Sequence, residues 1–359
     1  MSEIASFLVA RDDLQKTRFA ANPLAERQAG EVLLKVDRFA FTANNITYAE
    51  TGVVLKYWEF YPAPAGFGII PVWGFADVVE SRHDEIKSGE RIYGYWPMAT
   101  HALLRPERVS AQSFIDATAH RRELPSTYNI YQRTAGDPNY DRDNEDLQSL
   151  IGPLFGTSFL IDDFLAEQKF FGARMVVMSS ASSKTAFSLA YLLRRRAGAV
   201  ETVGLTSPGN RAFVTGLGCY DRVLSYDELA QLPSAQPAVF VDFAGNGKVR
   251  TAVHEHFRDN LKQSTAVGMS HRDLHPPGKG LPGAKPVFFF APERRRQRLQ
   301  DWGRENYVAR YGKEWSAFVP VAGRWLKVRR HSGRDAIERI YLDTLNGKVT
   351  PDCGNILSL

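Results

Sequence analysis

The sequence predicts an α/β protein, with a parallel sheet and crossover helices at its centre and β-rich segments on either side. Three observations predict it. Between residues 173 and 311, short β-forming apolar runs alternate with stretches of helical spacing, and strands that alternate with helices require a parallel sheet. The first hundred residues instead show alternating or wholly apolar runs punctuated by Gly and Pro (Gly52, Pro62, Pro64, Gly66, Gly68, Pro71), and the tail returns to that character. At 359 residues the chain is too long for one typical core. The expected division is 1–152, 153–318 and 319–359, the last returning to the first.

In order along the chain, residues 31–37 (Glu-Val-Leu-Leu-Lys-Val-Asp) alternate as a strand, and 72–80, 90–95 and 100–104 read as further strands. Residues 57–61 read as a loop carrying Tyr57, Trp58, Phe60 and Tyr61. Residues 120–148 are polar, with a turn at Gly136-Asp-Pro. An amphipathic helix over 153–165 leads into the central fold. There a strand at 174–178 runs into the small residues 179–185 (Ser-Ser-Ala-Ser-Ser-Lys-Thr), a helix at 186–193 and a second strand at 203–206. Strands follow at 238–242, 264–268 and 286–290, with helices over 249–261, 293–311 and 334–345.

Strand–turn–helix–strand is a right-handed crossover, the unit that lays a pyrophosphate over a helix N-terminus. In G-x-G-x-x-G the glycines allow a tight turn, close backbone approach to phosphate and close helix–strand packing. Here Ser179, Ser182 and Thr185 stand in those places. Their hydroxyls can donate to phosphate, and Lys184 adds a cation at the same helix end. The turn Ser180, Ala181, Ser182, Ser183, Lys184 and Thr185 is therefore the candidate pyrophosphate site, weighed against a Ser-rich cap on an ordinary helix. After the second strand come Thr206, Ser207, Asn210 and Arg211, with no Asp or Glu until Asp221. An acid there holds a free ribose 2′-hydroxyl, whereas a basic residue accommodates a 2′-phosphate, so a bound dinucleotide is expected to be NADP(H).

Composition narrows the function classes. No run of about eighteen apolar residues and no charged-then-apolar leader is visible, so neither a membrane span nor a secretory signal is expected. Cys219 and Cys353 are too few for a disulfide framework or a four-cysteine zinc site, which fits a cytoplasmic protein. The net charge of +5 is modest, and its arginine clusters read as solvated faces, so a nucleic-acid partner is not expected. Residues 178–185 also line up with the P-loop pattern, keeping Lys184-Thr185 but replacing both glycines by Met178 and Ser183. Without glycine the backbone nest is lost, and only Asp242 offers an acidic strand end.

The β-rich leader, central crossover fold and returning tail together resemble the medium-chain dehydrogenase/reductase superfamily. Residues 30–36 look like its opening strand, 44–52 like the loop of its zinc-free quinone-reductase branch, and 74–79 and 87–94 like its barrel strands. Residues 216–226 resemble the stretch after its second Rossmann strand, and 346–351 its closing turn. The wording of 179–186, with Val72-Trp-Gly-Phe-Ala, looks like an uncharacterised, glycine-poor side branch. The resemblance implies a GroES-like β-barrel catalytic domain plus a Rossmann dinucleotide-binding domain, with a small-molecule substrate in the cleft between them and a possible homodimer. Zinc members carry a Cys in the early loop and a Gly-His-Glu motif. This chain has Asn44-Asn45 and Gly74-Phe75-Ala76 there, so metal-free chemistry is expected.

Tyr48 stands where the quinone-reductase branch places a tyrosine facing the nicotinamide, and is the candidate proton donor or, alternatively, a packed barrel residue. Asn45, with Asn44, is expected to orient nicotinamide or substrate oxygen, or to form a turn. Tyr57 either helps wall an apolar substrate pocket or belongs to a small core under a loop. Thr157 resembles the superfamily's phosphate-facing threonine. Tyr128 and Asn129 are further candidates for the same cleft. Gly268 and His271 follow a parallel strand, the ligand-facing edge, and His271 is a secondary proton donor. His254 and His256 point apart on a helix and are rejected as a metal pair. The expected function is zinc-independent, NADPH-dependent hydride transfer to a carbonyl, quinone or activated alkene. The alternative is a non-catalytic NADPH-binding sensor or structural protein.

Overall fold

A computed structural model describes residues 3–24, 26–196, 198, 200–267 and 280–359. The chain forms two compact units, Met1–Pro153 with Ala322–Leu359, and Leu154–Val321. In the first lie β1 (Glu3–Ala10), β2 (Thr17–Pro23), β3 (Val32–Phe41), α1 (Ala43–Glu50), β4 (Phe67–Gly68), β5 (Pro71–Ser81), β6 (Arg91–Pro97), β7 (His101–Leu104), β8 (Pro106–Glu107), β9 (Ser113–Asp116) and β10 (Ile130–Arg133). Helix α2 (Glu145–Glu167) carries the chain onward. The second unit holds β11 (Met175–Met178), α3 (Lys184–Arg194), β12 (Glu201–Thr206), α4 (Arg211–Gly216), β13 (Arg222–Ser225), β14 (Ala238–Asp242), α5 (Gly247–Phe257), β15 (Leu261–Ala266), β16 (Pro286–Phe288) and α6 (Ala291–Trp302). Helix α7 (Arg304–Trp325) leads back to β17 (Lys327–Ser332), α8 (Arg334–Leu345) and β18 (Cys353–Ser358).

The first unit is built on antiparallel pairing. A three-stranded sheet runs β2-β1-β4, and a nine-stranded one runs β17-β18-β3-β5-β6-β10-β9-β8, with β7 also on β3. The tail belongs here because β18 pairs antiparallel with β3, Ile356 opposite Ala40, and parallel with β17. Phe7 N–H donates to Met98 O (2.8 Å) and Thr100 N–H to Ala5 O (2.9 Å), tying the small sheet to the large one. Phe7, Phe39, Phe60, Trp96, Tyr131 and Tyr341 are buried in the core these strands enclose. The side chain of Trp58 fills the space beside two glycines. A Cβ on Gly68 would lie 2.2 Å from its ring, so only glycine permits that approach.

The second unit is a six-stranded sheet ordered β13-β12-β11-β14-β15-β16, parallel at every pairing. From the central, fully buried β11 the chain builds first to one side, through β12 and β13, and then to the other, through β14, β15 and β16. That reversal is where open parallel sheets form their ligand crevice, at the carboxyl ends of the strands.

Three elements depart from the sequence expectation. Within 44–52, which resembles a loop, residues up to Glu50 belong to the helix α1. Thr42 and Asn45 make a capping box, and the buried Asn45, Ile46, Tyr48 and Ala49 share one helical face. Helix α2 starts at Glu145, well before Pro153, because Leu150, Ile151 and Phe155 continue a buried stripe through the proline. Residues 293–311 are two helices, broken at Gly303, whose φ of 76° lies in the region that favours glycine. The stretch 142–167 is long and apolar enough to cross a membrane by length and composition, yet 61% of its most apolar window is buried in the protein, as in core helices.

Candidate functional site

The turn between β11 and α3 is held from several sides. Ser179 is fully buried. Its hydroxyl donates to Asp242 Oδ1 (2.7 Å) and accepts from Phe243 N (2.9 Å) and Ala244 N (3.0 Å), pinning the turn to the end of β14. Asp242 in turn accepts from buried Arg250 (Nε, 2.9 Å) and from Gly245 N (3.1 Å). With both its oxygens engaged, Asp242 does not offer a metal-ligating acid to a P-loop, and the mononucleotide alternative loses its acidic partner.

Ala181 N–H donates to Leu205 O (3.0 Å) and Ala181 O accepts from Tyr220 (2.9 Å), so this small buried residue lets β12 approach the turn. Ser180 is the turn's one left-handed residue (φ 49°), and its N–H donates to the Tyr226 hydroxyl at 3.0 Å. Ser182 Oγ accepts from Asn210 (3.3 Å). Ser183 caps α3 by accepting from Ala186 N (3.2 Å). Lys184 opens the helix, with Thr185 next. Helix α2 sets Ser158 beside the turn, its hydroxyl donating to Thr185 O at 2.7 Å. Thr157 precedes it in that helix.

The carboxyl ends of β12 and β13 lie side by side, Thr206 opposite Ser225. Ser207 and Arg211 are exposed, Asn210 half-buried. Arg211 Nη1 donates to Glu228 Oε1 at 2.8 Å. Sequence reasoning missed that acid. Glu228 lies 22 positions after Thr206 in the chain and arrives from the end of the neighbouring strand. Asp221, the first acid after Thr206 in the sequence, accepts from Thr202 at the opening of β12, the opposite end of the strand. Next to this edge an apolar crevice of about 230 Å³ is lined by Leu205, Tyr226, Leu229, Lys248, Val249 and Val253 among others. None of these was a candidate from sequence, because they come from three separate elements.

In the first unit the rings of Tyr48 and Tyr57 pack at 4.5 Å between centroids, tilted by 39°. Tyr48 accepts from Trp73 Nε1 (3.4 Å), and Tyr57 Oη lies 3.0 Å from Tyr128 Oη. Burial pushes the Tyr48 phenol above the ordinary tyrosine range, against hydrogen bonds with Trp73, Asn44 and Tyr95 that lower it. Burial raises Tyr57 in the same way. Both hydroxyls are therefore protonated at neutral pH. Asn45 Oδ1 accepts from Thr42 N (2.8 Å) in the cap of α1, and its Nδ2 donates to Pro71 O (3.1 Å) of β5, an arrangement nearer the turn-forming alternative than the ligand-orienting one. Tyr57, Trp58 and Phe60 lie in the buried core, which favours the small-core alternative for this aromatic run. Asn129 donates to Arg121 O and is likewise internal.

Gly268 and His271 lie outside the described residues. His254 bridges Pro282 O and Ser264 Oγ at 2.9 Å each, and His256 contacts Leu232 O, so the two rings serve separate neighbours. Among the described residues no three His, Cys, Asp or Glu side chains are grouped as a metal would need.

An antiparallel GroES-like unit completed by the tail, with a parallel crossover sheet in between, is the fold of the medium-chain dehydrogenases/reductases. Solved structures share it: CurA from Vibrio vulnificus in complex with NADPH (TM-score 0.61, 12% identity, covering 99% of this chain and 98% of that one). A mutant enoyl thioester reductase from Candida tropicalis (TM-score 0.58, 10% identity) and the quinone oxidoreductase from Coxiella burnetii (TM-score 0.57, 12% identity) are each covered in full, as is this chain. The chain itself belongs to the family described as a protein of unknown function, DUF2855, whose model matches residues 39–350. No curated protein matches the sequence.

Proposed function

We propose that this protein is a zinc-independent, NADPH-dependent oxidoreductase acting on a carbonyl, quinone or activated alkene. One observation carries the reading: a helix N-terminus behind a hydroxyl-rich turn, with an exposed arginine and an apolar crevice, all along one edge of a parallel sheet. The solved CurA structure, of the same fold, is a complex with NADPH.

The residues fit such a cofactor. Ser180 to Thr185, with Thr157 nearby in sequence to Ser158, would hold the pyrophosphate, the amides at the start of α3 supplying donors and partial positive charge. Ser207, Asn210 and Arg211 would hold the 2′-phosphate. Leu205, Tyr226 and Val249 offer apolar walls to a nucleobase. NADPH, when bound, supplies a hydride. The chain's own contribution is a proton, for which the protonated phenol of Tyr48 is the proposed source, with the ring of Tyr57 packed against it. Zinc independence rests on Asn44-Asn45 and Gly74-Phe75-Ala76 standing where zinc members carry ligands.

Steady NADPH oxidation with a panel of quinones and enones, before and after exhaustive chelation, tests this reading. Turnover that survives chelation is expected. Stoichiometric zinc whose removal abolishes activity contradicts it. The second reading, an NADPH-binding sensor or structural protein, is favoured by the commitment of Asn45 to its helix cap. Tight NADPH binding with no turnover on any acceptor would establish it. The proposed homodimer, implied by the superfamily resemblance, is tested by sedimentation equilibrium.

A further inference from the structure

The sequence around Arg211 describes a strand end free of acids, the pattern of a site for a 2′-phosphate. The folded chain describes something else. Parallel pairing of β12 with β13 sets Ser225 opposite Thr206, and the turn after Ser225 brings Glu228 to Arg211, 2.8 Å from Nη1. Glu228 is not a loose surface acid. Its Oε2 accepts from Ser225 N (2.9 Å) in a capping box, which fixes the carboxylate, while Oε1 accepts from Arg211 at 2.8 Å and more distantly from Gln231 Nε2 at 3.4 Å. The pair remains open to solvent, with side chains 46% and 24% exposed, so a ligand can reach it.

We propose that Glu228 is a specificity-determining residue of the nucleotide site, restraining Arg211 and narrowing the preference for a 2′-phosphorylated over a 2′-hydroxyl dinucleotide. The inference rests on the reading of 207–211 as the 2′-end of that site. Two effects act in the same direction. A 2′-phosphate must draw Arg211 away from a carboxylate already bonded to it, and it does so close to a fixed negative charge. A 2′-hydroxyl meets no such repulsion, and the same carboxylate is an acceptor of the kind that holds it in acid-bearing sites. Hydrogen bonds from Ser225 and Arg211 keep Glu228 below the usual carboxylate range, so it is charged throughout the physiological range.

The test is calorimetric titration of the full chain with NADPH and with NADH, comparing wild type and Glu228→Gln. Glutamine retains an oxygen for Ser225 N, so the cap survives. NADPH is expected to bind about three- to tenfold more tightly to the variant, and NADH equally or about twofold more weakly, a gain that shrinks as salt screens the charges. The same substitution on an Arg211→Ala background is expected to give a clearly smaller NADPH gain, because the restrained cation is gone. An unchanged NADPH to NADH ratio in Glu228→Gln overturns the inference and leaves the proposed function standing. A wild type that binds neither nucleotide at millimolar concentration overturns both.

Discussion

Two arginine–carboxylate pairs, one in each unit, have nearly the same length and opposite surroundings. Arg121 and Asp116 meet at 2.9 Å with 1% of either side chain exposed. Arg211 and Glu228 meet at 2.8 Å in partial contact with water. The first guanidinium also donates to Tyr131 Oη (2.7 Å) and Tyr128 O (3.1 Å), and lies 5.1–5.6 Å from the ring centroids of Phe60, Tyr61 and Tyr131. It fastens Tyr131 of β10 to Asp116 of β9 and to the backbone at Tyr128. Separating it from Asp116 would strand a charge in a medium that cannot solvate it. The second pair loses little when parted, because water or an anion replaces either partner. Distance does not distinguish a structural pair from an exchangeable one; the surroundings do.

The comparison breaks first at Arg121. Arg121→Ala is expected to cost about 3–5 kcal/mol, as uncompensated buried charges do, and a urea titration showing less than about 1 kcal/mol would remove the contrast. Next is the turn. Lys184→Ala is expected to weaken NADPH and NADH alike, about tenfold each, since a pyrophosphate contact is common to both. A loss confined to NADPH would move Lys184 to the 2′-phosphate. Smaller again is Ser180→Gly, which relieves a left-handed residue at φ 49° and should stabilise the protein by up to about 1 kcal/mol. A lower melting temperature would show that the serine side chain, and not the backbone, is needed there.

The gentlest effect is on pH. Burial is the largest single influence on Asp37 and Glu145 and opposes their ionisation, yet the hydrogen bonds and charges of Arg91 and Arg38, joined on Glu145 by the Tyr140 hydroxyl, together outweigh it and hold both below their ordinary values. Their folded values being the lower ones, their contribution is complete above the ordinary carboxylate range and drains away as pH falls through the lowered values. Thermal melting should therefore fall on acidification below about pH 4, and Arg91→Gln should flatten that fall. Equal slopes in both proteins would exclude Arg91 as its cause.

What was legible in the sequence was local. The crossover could be read because strand, turn and helix are contiguous, and Ser183 caps a residue three positions away. Helix 334–345 could be read from its spacing alone. The remainder depends on partners remote in the chain. Ser179 reads as a substitute for a phosphate-binding glycine, but its hydroxyl is engaged 63 residues on by Asp242. Arg211 reads as a free cation until the register of two parallel strands delivers Glu228. Asn45 reads as a substrate ligand because its capping partner Thr42 and its strand partner Pro71 acquire meaning only when Ala43–Glu50 is helical.

The central claim, a nucleotide site that reads the 2′-phosphate through an exchangeable arginine, is tested most directly by Arg211→Ala. Calorimetric titration of wild type and variant with both cofactors is expected to show NADPH weakened about ten- to a hundredfold and NADH nearly unchanged, the loss of one charge-assisted contact. Equal losses for the two cofactors, or no binding of either by the wild type at millimolar concentration, would contradict it.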